Sequence, residues 1–256
     1  MRYIKKIIGL VIFCFFCLNV TAGIAGEPIE VVKAEGKLTL SDATGSNQKT
    51  VRINDKLPPS NILTTGTDGR AVVRVGKTGY IVMEKNSQVE IDTANDRAGF
   101  FRHLTGVIYY GVNSLKDKDH TLEVRTKTAT MGIRGTRFLV TDIPERSEVA
   151  MRKGTLSILS QNDEFEIHIK TTLDEFEALK RESAVAISEE KNQFKKYQEN
   201  TQHEFVEYKR EFTLEMDRMA TFDGKRVDDR PLSGASKKDM ETLEGYAEKW
   251  LSEIQD

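Results

Sequence analysis

Four histidines, His103, His120, His168 and His203, are the first candidates for acid–base or metal chemistry in this chain. None has a His or Cys neighbour at the short spacing a zinc site uses, so they read as solvated surface residues and no metal is expected. Both cysteines, Cys14 and Cys17, sit inside an apolar N-terminal run, which leaves no thiol elsewhere for redox work or metal binding. Gly76-Lys77-Thr78 has the end of a phosphate loop without its leading glycine, and reads as a turn between two strands. There is no Gly-x-Ser-x-Gly elbow and no dinucleotide fingerprint. Carboxylates such as Asp92, Asp96, Glu189 and Glu190 could be paired as acid and base only arbitrarily, and each reads as a surface charge. No catalytic residue and no cofactor is therefore expected, and the chain does not read as an enzyme. Arg102, His103, Tyr109 and Tyr110 form the aromatic-basic cluster of the β-rich part. On a strand, one tyrosine faces inward and its neighbour outward, so core and rim packing is favoured over a binding face.

The most informative stretch is Thr126–Val140, TKTATMGIRGTRFLV. Gly132, Arg134, Gly135 and Thr136 stand between two strand-like runs, and the second run opens on Arg137 and Phe138. Glycines so placed point to a kink or to close approach of two strands. Arg134 then reads as held by carbonyls or a carboxylate, and Arg137 as solvated.

These residues need a β scaffold. From Ile29 to about Lys170, short alternating or continuous apolar runs recur, such as Ala71–Val75, Tyr80–Met83, Val107–Val112 and Thr155–Leu159, separated by turn residues about every ten positions. Residues 26–170 are expected to form an all-β domain, a solenoid- or sandwich-like stack of short strands, able to fold by itself.

After Thr171 the composition changes. Residues 172–222 contain neither Gly nor Pro and are rich in Glu, Lys, Gln and Ala. Phe194, Tyr197, Phe205, Tyr208, Phe212, Met216 and Met219 fall on a three-four-four rhythm once Thr201 is counted, which predicts a long helix or helical hairpin over 171–222. At 1.5 Å per residue, one helix would run about 75 Å. Its stripe would pack on the β body or on itself, with a coiled-coil homodimer as the alternative. Asp223-Gly224 reads as its C-cap, 223–235 as a polar linker, and 236–256 as a final amphipathic helix opened by Ser236 and Asp239. The expected fold class is thus mainly β followed by a long α-helical C-terminal region.

Residues 1–25 read as a signal peptide. Arg2, Lys5 and Lys6 precede an uncharged apolar run, and small residues follow, with cleavage expected after Ala25 to leave Gly26 first. An uncleaved membrane anchor is the alternative. Two bulky aromatics before Cys17 argue against lipidation. The chain carries a net charge of −2, which argues against nucleic acid as a partner.

In order and spacing, TTGTDGRAVV (Thr64–Val73), HLTGVIYYGV (His103–Val112), GIRGTRF (Gly132–Phe138) and the KGT of Lys153–Thr155 resemble the FecR domain, over roughly residues 30–160. The resemblance gives Gly66, Gly69, Gly106, Gly132, Arg134, Gly135, Thr136, Phe138 and Gly154 structural roles as motif positions. It implies a periplasmic β-rich module of the kind found in iron-uptake signalling. Only six residues precede the apolar run, so a cytoplasmic anti-sigma segment is not expected. The functional expectation is a non-enzymatic exported scaffold that binds a protein or envelope component in the periplasm. An accessory role in iron-uptake-type surface signalling, and an envelope polysaccharide hydrolase or lyase, are the alternatives. Secretion, or inner-membrane anchoring by an uncleaved leader, would also fit the N-terminus.

Overall fold

The computed structural model describes residues 28–92, 100–113, 122–170 and 204–254. Two β-sheets lie face to face. Sheet A runs in the order β1 (Ile29–Glu35), β5 (Arg70–Val75), β6 (Gly79–Met83), β8 (Phe100–Val112), β11 (Arg137–Ile143), β12 (Arg146–Lys153), β17 (Arg218–Asp223), β18 (Arg226–Pro231), β14 (Phe165–Lys170) and β15 (Glu204–Lys209). Its pairings are antiparallel except β18 with β14. Sheet B runs β3 (Lys49–Thr50), β2 (Leu38–Asp42), β4 (Asn61–Thr65), β7 (Gln88–Asp92), β8, β9 (Leu122–Arg125), β10 (Ala129–Ile133), β13 (Leu156–Ser160) and β16 (Glu211–Leu214). Here only β8 with β9 is parallel. Of the two forms expected for the β part, this is the sandwich.

The core between the sheets follows from period-two alternation. Leu38, Leu63, Val89, Phe101, Val124, Met131 and Ile158 face inward from sheet B; Val73, Ile81, Ile108, Tyr110, Phe138 and Met151 meet them from sheet A. Sheet A is apolar on its other face as well. Val72, Tyr80, Val82, Tyr109, Leu139, Ala150 and Met219 form a second cluster there, capped by Met240, Leu243, Ala247, Leu251 and Ile254. These come from helix α1 (Gly234–Tyr246), short helix α2 (Glu248–Leu251) and the residues that follow. A β-carbon on Gly111 would stand 2.7 Å from Ile254 Cδ1 and 2.9 Å from Leu251 Cδ2, so the helical layer comes down onto bare backbone. The α1 N-cap is Ser233, which accepts from the Ser236 backbone N–H, rather than the expected Ser236, which is buried.

The long C-terminal helix is overturned. Residues 204–222 form β15, β16 and most of β17, and the linker expected over 223–235 contains β18. Of the supposed stripe, Phe212 and Met219 are buried, but Tyr208 is 65% and Met216 55% exposed. The true pattern is period two, with Phe212 and Leu214 in and Glu211 and Thr213 out. Aromatic and β-branched residues are at home on such a surface. The Asp223-Gly224 signal is a hairpin turn between β17 and β18, with Gly224 at φ +59°, and not a helix cap. Neither a coiled coil nor a dimerising rod has a place over 204–222. Residues 171–203, the rest of that expectation, lie outside the described residues, as do the leader and cleavage site at 1–26.

No break falls at residue 170. β16 pairs with β13, β17 with β12, and β18 with β14, so strands after residue 203 complete both sheets.

Candidate interaction face

β8 belongs to both sheets, and Gly106 is where it crosses. Residues Phe100–Thr105 pair with β7 in sheet B, and Gly106–Val112 pair with β6 and β11 in sheet A. Gly106 has φ +99°, and a β-carbon there would lie 2.4 Å from Ser87 Cα. Glycine is required on both counts. Buried Ser87 clamps the bend: its Oγ accepts from the Val107 N–H at 3.0 Å and donates to the Val107 carbonyl at 3.1 Å.

Beside this bend His103 is fully buried, contrary to its expected solvated state. Its Nε2 donates to the Gly106 carbonyl and its Nδ1 accepts from the Tyr110 hydroxyl, both at 3.2 Å. Burial pulls its pKa down to about 4, so the imidazole is neutral at physiological pH. Both tyrosines are buried rather than one in and one out, because sheet A is covered on both faces. Tyr110 stacks on Phe138 in the core, with 5.1 Å between ring centroids. Tyr109 faces the helices and donates to Glu244 Oε1 at 2.6 Å, a carboxylate also held by Arg152 Nε at 3.2 Å.

The remaining motif positions tie turns together. The Gly66 N–H donates to the Lys37 carbonyl at 2.8 Å, and a β-carbon on Gly69 would meet that same carbonyl at 2.5 Å. Gly135 has φ +62°, and Gly154 packs so that its β-carbon would meet the Gly135 oxygen at 2.9 Å. Thr136 is buried, and its carbonyl accepts from the Val112 N–H at 2.9 Å. Gly132 and Arg134 are different: both are exposed, and nothing lies within 4 Å of a Gly132 β-carbon. Arg134 therefore points to solvent, whereas Arg137, read as solvated, is half-buried and reaches the Leu251 carbonyl at 3.5 Å.

The two outer faces differ in kind. Over sheet A, Tyr80 bonds Glu253 and is pushed up to about 12 by burial and by that bond. Lys33 Nζ sits 3.6 Å from the Tyr246 ring centroid, a cation–π contact that holds the end of α1. No described element covers the outer face of sheet B, where Thr64, Glu90, Arg102, Glu123, Arg125, Gly132, Leu159 and Thr213 look outward. Sequence reading missed this face, although alternating polar positions on β7, β9, β13 and β16 carry its signal. Among the described residues no group of three His, Cys, Asp or Glu could hold a metal ion, and no helix is long and apolar enough to cross a membrane. His168, also buried rather than solvated, pairs with Glu166, its neighbour along β14, at 2.8 Å.

No curated protein matches the chain. Two crystal structures of a proposed anti-sigma factor from Parabacteroides distasonis ATCC 8503 align with it at 10% identity and a TM-score of 0.46, covering 72% of this chain. The chain spans 65% and 64% of the length of those two structures. Residues 61–157 match the FecR protein family, a span running from β4 into β13 that takes in the β8 crossing and the Gly135–Gly154 contact. Residues 61–157 of this chain are thus a FecR-family domain.

Proposed function

We propose that this protein is an exported binding module without enzymatic activity, and that its β sandwich presents the uncovered face of sheet B to a protein or envelope component. The observation that carries this reading is the asymmetry of the sandwich. The helical layer covers sheet A and buries its apolar outer face, while sheet B offers a broad surface with no cover among the described residues. Such a face is stable in water because it is polar, and its hydrogen-bonded strands hold it rigid enough to dock a partner. The cationic, apolar and small-residue succession of residues 1–25 supports delivery to the periplasm. The FecR domain favours a second, narrower reading, an accessory to cell-surface signalling of the iron-uptake type.

Fractionation combined with site-specific photo-crosslinking tests both. Expressed from its full chain in a Gram-negative host, the protein should be released by osmotic shock. Photo-reactive residues at Thr64 or Thr213 should form one discrete adduct; the same group at Lys238 or Glu241, on the exposed side of α1, should not. Retention in the cytoplasm overturns export, and retention in the inner membrane supports the anchor. Adducts from α1 alone overturn the choice of face.

A further inference from the structure

One cross-strand row on the outer face of sheet B reads Glu90, Arg102, Arg125, Thr130, Leu159 and Glu211, one residue from each of β7, β8, β9, β10, β13 and β16. The parallel pairing of β8 with β9 sets Arg102 directly beside Arg125. Like charges on neighbouring strands cost stability, a cost offset here by an ion pair at each arginine. A depression of about 580 Å³ opens over the middle of this row, from Arg102 through Arg125 and Thr130 to Leu159. Lys127, from the turn between β9 and β10, and Arg210, between β15 and β16, complete a lining of four cations with no carboxylate among the described residues. Gln161 Nε2 donates to the Thr126 carbonyl at 2.9 Å and fixes that turn against the end of β13.

The counter-charges present are exchangeable. Arg102 pairs with Glu90 at 3.1 Å and Arg125 with Glu123 at 3.0 Å, but the two arginine side chains are 51% and 46% exposed. Surface pairs of this kind hold weakly, so an incoming anion can compete for the guanidinium groups. A concave surface with an excess of cations over carboxylates focuses the field toward such an anion. Guanidinium forks match oxyanions in two-point fashion, and Thr126, Thr130 and Gln161 bring further polar groups to the rim.

We propose that this depression binds a phosphate-ester or diphosphate group, either on a free small molecule or on a lipid headgroup. Two adjacent guanidiniums with a lysine and a third arginine suit a doubly charged group better than a single carboxylate. The assignment stands apart from export and from any protein partner.

The test uses the full chain. Calorimetry with inorganic pyrophosphate should show binding that weakens as salt rises. The double variant Arg102→Gln/Arg125→Gln should bind at least tenfold more weakly, and Arg230→Gln, an exposed arginine on β18 of sheet A, should bind as the native chain does. Flotation with vesicles containing phosphatidic acid, a phosphomonoester lipid, against phosphatidylcholine alone, separates the sources: capture by the anionic vesicles that the double variant loses supports a headgroup, and pyrophosphate binding without capture supports a free ligand. Absence of both kinds of binding overturns the site, as does equal binding by the double variant or equal loss in Arg230→Gln. Melting is the folding control. With the like-charged neighbours gone, the double variant should melt no lower than the native chain; a fall of many degrees would make the arginines structural and overturn the proposal.

Discussion

The strands of sheet A and sheet B share one core but live in different surroundings. β6, Gly79–Met83, is buried at every position, whereas β13, Leu156–Ser160, alternates buried with partly exposed positions. A strand covered on both faces becomes continuously apolar; a strand with one wet face keeps the in-out alternation. The helical layer is therefore written into β5, β6, β8, β11 and β12 before α1 is reached. The contrast also separates what each face does for the fold: the covered face adds a second apolar layer, and the bare face keeps its polar positions in solvent among the described residues.

Removing the cover should have the largest effect. A chain ending at Pro231 loses α1 and α2 and exposes Val72, Tyr80, Val82, Tyr109, Leu139 and Met219. Each such side chain contributes about 1.5–3 kcal/mol when fully buried, and together they rival the ~5–15 kcal/mol that holds a domain folded. Aggregation or loss of a cooperative melt is expected. A soluble chain with a native-like melt would show that the helices merely rest on sheet A.

Next in size is the joint between the sheets. Gly106→Ala should cost about 3 kcal/mol, because the added carbon meets Ser87 backbone and the positive φ disfavours any side chain. For one domain of this size, that lowers the melting temperature by roughly 6–12 °C. An unchanged melt would mean that β8 need not cross there.

The buried histidine contributes a comparable amount, revealed only by pH. Unfolded, His103 takes up a proton near 6.5; folded, it resists until about 4. The unfolded state therefore binds more protons in this window. The stability from neutral His103 is full above pH 6.5 and falls by on the order of 3 kcal/mol as pH drops to 4. Asp142 and Asp229, both raised chiefly by burial, act in the opposite sense, since they hold a proton more readily when folded. Comparing native protein with His103→Gln cancels the carboxylates. The variant should lose the slope between pH 4 and 6.5, and equal slopes would contradict a buried neutral imidazole.

The smallest effect belongs to the bare face. Gly132→Ala and Leu159→Thr should each change stability by no more than about 0.5 kcal/mol, as surface substitutions do. Gly132 has open space around it, and Leu159 is 39% exposed. Urea melts that shift well beyond that amount would show this face to be covered.

Much of the architecture was legible in the residues alone. The runs from Ile29 to Lys170 became strands because alternation and β-branched residues satisfy a pleated sheet wherever it is placed. Met240, Leu243, Ala247, Leu251 and Ile254 declared a helix face through their spacing, and turn-forming Gly66, Gly135 and Gly154 sit at tight corners for local steric reasons. Residues 204–222 were not legible, since their turns, at Arg210 and around Asp217 with φ +61°, contain no Gly or Pro. Without that punctuation, helix-forming composition outweighed a short period-two pattern. His103 was misjudged because the crossing of β8 buries it, and no neighbour in sequence announces the crossing. The four-cation depression is likewise beyond local reading. Arg102 meets Arg125 only through the parallel register of β8 and β9, and Arg210 joins them only because β16 pairs with β13. Local spacing determines what a segment can become, because its backbone sterics and burial period travel with it. Which segments become neighbours is decided by packing the whole sandwich at once, and that is where the site is made.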